Sequence, residues 1–246
     1  MQRASKRCYT LFINRVNILY PQAVLSIVPT PIGNLGDMTL RAIETLKACD
    51  AIVCEDTRVT GQLLKLLDLP KKELISFHGY SDRGKLDVII DRLKNDGHLA
   101  LVSDAGTPGI SDPGYLVISH ARKNHIKVEA LPGPSAFLVA LSASGLPMDS
   151  FTYLGFLPLK KGRQTLMKTF IDAEHTIVFY ESPHRILKTL QELHMLLIRQ
   201  ESRSIVIARE LTKMHEEVIS TTIHDLPEVM KSMTIKGEFV VIIGPR

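Results

Sequence analysis

Tryptophan is missing from this chain, which by itself decides nothing, but other scarcities exclude a good deal. Only three cysteines occur, Cys8, Cys49 and Cys54. Their number is odd and their spacing fits no zinc pattern, so they read as inert thiols of a reducing cytoplasm. Apolar runs are strand-sized and broken by charge, too short to span a membrane. A net charge of +4 over 246 residues permits an anionic partner without demanding one. The histidines show no H-E-x-x-H spacing, so no metal is expected. No G-x-S-x-G elbow appears, which leaves hydrolase chemistry little support. Gly33-Asn34-Leu35-Gly36-Asp37 lacks the Gly-Lys-Ser/Thr of a P-loop and is not G-x-G-x-x-G.

The apolar content is that of an ordinary globular chain, long enough for one large domain or two small ones. Short apolar segments near 25–29, 51–54, 73–76, 98–102 and 127–130 alternate with helical patterns near 39–48, 58–67, 85–95, 113–124 and 134–143. That alternation predicts a parallel sheet covered on both faces. Gly145 to Asp149 breaks the rhythm and marks the expected boundary between domains at 25–146 and 150–246. Beyond it, strands are expected near 152–155, 175–180, 204–209, 216–222 and 237–243. Helices are expected near 163–172, 184–197 and 225–232. Only one short helix separates the last two strands, which predicts a mixed sheet. Residues 1–24 read as an extension, either an upstream start or an extra strand; the apolar segment Tyr9–Ile13 is a poor signal-peptide core.

What the chain does have is three strand-to-helix junctions rich in Gly, Pro, Asp and Ser. They run from Pro29 to Asp37, from Ser103 to Gly114, and from Pro132 to Ala136. Glycine lets backbone approach a ligand and proline fixes loop shape beforehand. Loops at the carboxyl ends of parallel strands are where open α/β sheets bind small molecules. Each could be a mere connection; three together predict one composite site, placed between the two halves.

Several side chains at these junctions could do chemistry, and each has a plainer reading beside it. Asp37 could act as a base or cap the helix that begins near Met38. In Glu55-Asp56-Thr57-Arg58, Glu55 and Arg58 could contact a polar substrate, or Asp56 or Thr57 could simply cap a helix with Arg58 in solvent. His78 could be catalytic or structural. Tyr180 to Arg185 resembles a helix entry with Pro183 in its first turn. That segment and Ala208 to Lys213 could close the second half over a ligand held by the first.

Taken together, Pro29–Asp37, Cys54–Arg58, Ser103–Gly114, Leu131–Ala136, Gly155–Pro158, Phe179–Arg185 and Ala208–Lys213 resemble the tetrapyrrole methylase superfamily, and within it the methyltransferases of small-subunit ribosomal RNA. The resemblance runs from about Ser26 to the C-terminus. Residues before Ser26 lie outside it, and many members carry a further short helical segment after the point matching Arg246. It implies a two-domain α/β fold, with a parallel-sheet N-terminal domain and a mixed-sheet C-terminal domain, and S-adenosylmethionine as methyl donor. It implies as acceptor the 2′-hydroxyl of a cytidine in the decoding region of 16S rRNA, within the small ribosomal subunit. It also implies a cytoplasmic homodimer. Carried over by motif, donor contacts fall to Leu35, Asp104, Gly106, Thr107, Ile110, Ser135, Ala136, Tyr180 and Ala208. Asp37, Glu55 and His78 are the candidates for the base, and Arg58 and Arg185 suit RNA phosphate. Two alternatives stand beside this expectation: a small-molecule methyltransferase acting on a tetrapyrrole precursor, and a ribosome-binding module without catalysis.

Overall fold

A computed structural model describes residues 23–79, 83–95 and 97–246. The expected extension over residues 1–24 falls almost wholly outside them. The first half is built from strands β1 (Val24–Ile27), β2 (Ala51–Cys54), β3 (Glu73–Ser76), β4 (His98–Leu101) and β5 (Lys127–Ala130). Helices α1 (Leu40–Ala48), α2 (Thr57–Leu66), α3 (Arg83–Lys94), α4 (Gly114–Lys123) and α5 (Ala136–Ser144) follow them in turn. All five strands are parallel, in the order β3-β2-β4-β1-β5. β1, β2 and β4 are buried along their whole length, as expected of central strands covered on both faces. One apolar cluster around Leu25, Val53, Leu93 and Val117 fills one face, and another around Val28, Leu46, Ile52 and Val102 fills the other. The carboxyl ends of β1, β2, β4 and β5 therefore open on one side of the sheet.

The second half carries β6 (Phe151–Phe156), α6 (Arg163–Lys168), β7 (Thr176–Glu181), α7 (Ile186–Leu197), β8 (Ser204–Arg209), β9 (Glu217–Thr222), α8 (Leu226–Ser232) and β10 (Phe239–Ile243). The strand order is β6-β7-β10-β8-β9. β6 and β7 are parallel and the other pairs antiparallel, so the sheet is mixed, as the spacing of the last strands predicts. α5 packs on this second sheet. Its Phe137, Ala140 and Leu141 share one core with Val178, Val206, Ala208, Val240 and Ile242.

Three local expectations are corrected. Asp37 does not cap the first helix; it closes a single 3-10 turn, Leu35–Asp37, and Thr39 takes the cap, its hydroxyl accepting from Ala42 N at 3.1 Å. Pro183 lies in the turn before α7, not in its first turn, and the helix begins at Ile186. The helix expected over 163–172 stops at Lys168.

Candidate active site

The three Gly- and Pro-rich loops are stitched to one another. Thr30 and Gly106 exchange backbone hydrogen bonds of 2.9 and 3.1 Å, and the Thr30 hydroxyl donates to Ser103 O at 3.0 Å. The Thr107 hydroxyl donates to Pro134 O at 2.8 Å. Gly133 lies so close to Pro29 that a Cβ there would sit 2.5 Å from the Pro29 Cβ. The β2 junction joins through Asp56 N, which donates to Asp104 Oδ1 at 3.1 Å. Within the longest loop, both Asp112 carboxylate oxygens accept from Gly109 N at 2.9 Å, and one also takes Gly114 N at 2.7 Å. Four strand ends thus form one rigid rim.

This rim and the second half enclose a cavity of about 350 Å³, within the usual size range for a small-ligand site. Ile32, Glu55, Ser103 to Thr107, Ile110 to Asp112, Ser135 and Ala136 line it from the first half. Phe156, Tyr180 to Pro183, Leu211 and Glu238 to Val240 line it from the second. Leu211 is presented by a turn in which Glu210 and Thr212 hold φ of +49° and +65°. A β-branched residue in that region is strained, and such strain is held in place by surrounding structure.

Most of the wall surface is apolar, with polar and acidic side chains set among it. Ser135 precedes α5, is 5% exposed, and its hydroxyl makes no well-formed hydrogen bond, standing near the Tyr180 hydroxyl without pairing closely with it. A buried hydroxyl left without a well-formed bond beside a helix N-terminus calls for a ligand group. The Tyr180 hydroxyl accepts from Phe137 N at 3.3 Å, and burial pushes its pKa well up, so it stays protonated. Burial also raises the pKa of the half-buried Glu55, with Asp104 and Asp112 adding repulsion and His78 opposing the rise. Asp112 is raised too, chiefly by burial, its glycine N–H donors pulling the other way. Among the described residues, no cluster of His, Cys, Asp or Glu is arranged to hold a metal ion.

Behind the Tyr180–Pro183 wall lies a brace of charged side chains. Glu181, buried, meets Arg185 Nη2 at 2.6 Å, accepts from the Thr189 hydroxyl at 2.7 Å and from Ser182 N at 2.8 Å. Arg185 also donates to Leu157 O at 3.1 Å, and the buried Arg163 bonds Thr189 and Glu192.

The tetrapyrrole (corrin/porphyrin) methylase family profile matches residues 24–227. The chain belongs to that family. Ribosomal RNA small subunit methyltransferase I of Vibrio cholerae is 47% identical over 223 residues, spanning 89% of this chain and 76% of that protein. The protein of the same name from Hydrogenobaculum is 45% identical over 221 residues, spanning 89% and 95%. Among solved structures, a cobalt precorrin-4 methyltransferase superposes with a TM-score of 0.65 at 17% identity, over 90% of this chain and 95% of that one. A uroporphyrin-III C-methyltransferase from Thermus thermophilus, solved with S-adenosylhomocysteine, gives 0.61 at 18% identity, over 90% and 96%. At that identity the likeness speaks to the fold, which the methylase shares along nearly its whole described length.

Against this frame, the residues expected from the sequence divide. Asp104, Gly106, Thr107, Ile110, Ser135, Ala136 and Tyr180 come together on the cavity wall, and so does Glu55. Leu35 and Asp37 are exposed in the 3-10 turn and His78 is half-buried after β3; none of the three lines the cavity. Ala208 is fully buried as the cross-strand neighbour of Val240, which does line it. Arg58, its side chain 89% exposed, pairs with Asp56 at 2.6 Å and draws that carboxyl down to about 2. Arg185 is engaged in the brace. The sequence reading missed Phe156, Asp112 and the β10 residues Phe239 and Val240. Asp112 could have been found from its glycine-flanked loop; the others depend on how distant strands pair.

Proposed function

We propose that this methylase transfers the methyl group of S-adenosylmethionine to the 2′-hydroxyl of a cytidine ribose in the decoding region of 16S rRNA. Cytoplasmic location and action as a homodimer go with this reading. The observation that carries it is the two-sided cavity with a poorly paired hydroxyl at Ser135, in a chain up to 47% identical to the small-subunit rRNA methyltransferases named above.

The residues present fit such a donor. Apolar walls suit a thioether and a purine, and the Ser135 hydroxyl suits a polar group of the donor. Asp104, Gly106, Thr107, Ile110, Ser135, Ala136 and Tyr180 would hold it; Leu35, exposed in the 3-10 turn, and Ala208, buried behind Val240, stand off the cavity wall. When bound, the donor supplies a methyl carbon on a positive sulfur that departs as a neutral thioether. The chain itself must align the acceptor oxygen, exclude water and take one proton. Holding reactants in line can contribute roughly 7–11 kcal/mol.

For the proton, Glu55 is the best placed of the three candidates. It lines the cavity, and burial beside Asp104 and Asp112 favours its protonated form, so its carboxylate accepts a proton more readily than a solvated one. Asp37 at the rim and His78 beside Glu55 would act through neighbours. Arg58, in solvent on α2, is suited to an RNA phosphate. Arg185, paired with Glu181, braces the wall and does not reach for RNA.

The test is transfer of tritiated methyl from the donor to 30S particles and to naked 16S rRNA, with the labelled nucleoside identified. Label in 2′-O-methylcytidine is expected. Label in another nucleoside, or only in an added tetrapyrrole precursor, overturns the reading. Donor binding with no transfer to any acceptor would favour a ribosome-binding module.

A further inference from the structure

β6 does not run regularly against β7. Tyr153 pairs with Val178 and Phe156 with Tyr180, so three steps on β6 match two on β7. The extra residue is a β-bulge, and bulges beside active sites re-aim side chains. Without it, Phe156 would fall on the opposite face from Tyr153. With it, both rings flank Tyr180, whose centroid is 5.4 Å from that of Tyr153 and 5.6 Å from that of Phe156. Gly155 makes the bulge possible. Its φ is +60°, and a Cβ there would lie 3.1 Å from Ser111 Oγ across the cavity rim.

The bulge delivers a ring into the cavity wall and leaves it in water. Phe156 is 54% exposed, and among the described lining residues it is the one large apolar side chain that is exposed. The neighbouring rings are spent inside: Tyr153 is stacked on Phe137 at 4.4 Å and bonded to Ser111 at 2.7 Å. A cavity of about 350 Å³ is filled by one small ligand, so a second reactant must arrive at its mouth. Lys160 and Lys161, both exposed, stand on the turn just after β6. An exposed ring with cations nearby is how proteins hold single-stranded nucleic acid.

We propose that Phe156 is the stacking platform for the base of the acceptor nucleotide, an unpaired nucleobase drawn out of the RNA to the mouth of the cavity. This rests on the rRNA-methylating reading. The ring holds one face of the base, so its ribose reaches the donor side of the cavity while Lys160 and Lys161 face the flanking phosphates. Base–aromatic stacking of ordinary strength makes the ring worth roughly 5- to 150-fold in RNA affinity.

The experiment compares the wild-type protein with Phe156→Ala and Phe156→Tyr on 30S particles. It reads kcat and KM for the RNA substrate, donor affinity by calorimetry, and mass in solution by light scattering. Phe156→Ala should lower kcat/KM by about 5- to 150-fold with donor affinity and mass unchanged, and Phe156→Tyr, which keeps a ring, should recover most of the loss. An unchanged kcat/KM in Phe156→Ala overturns the proposal. So does an equal loss of donor affinity, which would make the ring part of the donor wall, or a changed mass, which would place it between copies of the chain. A wild-type protein that binds the donor and methylates no RNA would sink the functional reading and this inference together, whereas an active wild type with an indifferent alanine variant sinks only the platform.

Discussion

On the proposed reading, the side chain that takes the acceptor's proton must touch the cavity. Of Asp37, Glu55 and His78, Glu55 alone does so. Its position was legible in the sequence, since it follows the last residue of a buried parallel strand. Asp37 is the first candidate from the sequence, because its loop meets both the donor site and the first helix, but it is exposed in a 3-10 turn that ends at Met38 and does not line the cavity. Glu55 binds its proton more tightly folded than unfolded, because burial and two neighbouring acids penalise the charge. The stability this contributes is present below the unfolded pKa and is lost as pH rises through the higher folded value. At pH 7 the ionised group is therefore a cost to the fold. Glu55→Gln should cut methyl transfer by roughly 10²- to 10⁴-fold while leaving the melting temperature at pH 7 unchanged or higher. The wild-type rate should rise with pH through a midpoint above the ordinary glutamate range, and the variant's residual rate should lose that rise. Full activity in the variant would move the base elsewhere.

Elements explain which parts of the fold a sequence reveals. The strands and helices of the first half were read to within one or two residues, because each local pattern agrees with its tertiary surroundings. The segment after α6 was not. Residues 163–172 keep an apolar periodicity through Phe170 and Ile171, yet the helix ends at Lys168. The buried Arg203 donates to Phe170 O at 2.6 Å and to Gly244 O at 2.8 Å, and Gln200 donates to Ile171 O at 2.8 Å. The N–H groups of Thr169, Phe170 and Ile171 donate to the carbonyls three residues back, Leu166, Met167 and Lys168, so the helix tightens into 3-10-type turns. The Phe170 and Ile171 carbonyls are held by partners some 30 residues away that no local window contains. The same limit hid Phe156, whose direction depends on a bulge against β7. The loops themselves were legible as a group, and their contacts make a prediction. A methyl group at Gly133 would press on Pro29. Gly133→Ala should force the first and third loops apart, costing about 1–3 kcal/mol in chemical denaturation. Donor affinity should weaken with it, because Thr107 and Ser135 on the wall are held by these same loops. Unchanged affinity by calorimetry would mean that the loop seam does not set the shape of the cavity.

At the scale of the molecule, the question is whether two sheets behave as two bodies or one. The cavity walls come from both halves, and so do the contacts around them. α5 belongs by sequence to the first half but is packed on the second sheet through Phe137, Ala140 and Leu141. The first loop meets the turn after β8, where a Cβ on Gly33 would collide with Lys213 and Thr212. Lys213 is in turn fixed by Glu210 at 2.8 Å and Glu238 at 2.9 Å. A ligand bound only to the native cavity should therefore stabilise both halves together. With S-adenosylmethionine at 100 times its dissociation constant, mass action gives about 2.7 kcal/mol. For a chain of this length that corresponds to a rise of roughly 5–10 °C in the melting temperature. A single calorimetric transition moving as a whole is the expected result, and Ser135→Ala should reduce the shift at the same donor concentration. If the unfolding trace instead splits, with one step moving and the other fixed, the donor is held by one half alone, and the second half's Tyr180 and Leu211 are bystanders rather than part of the site.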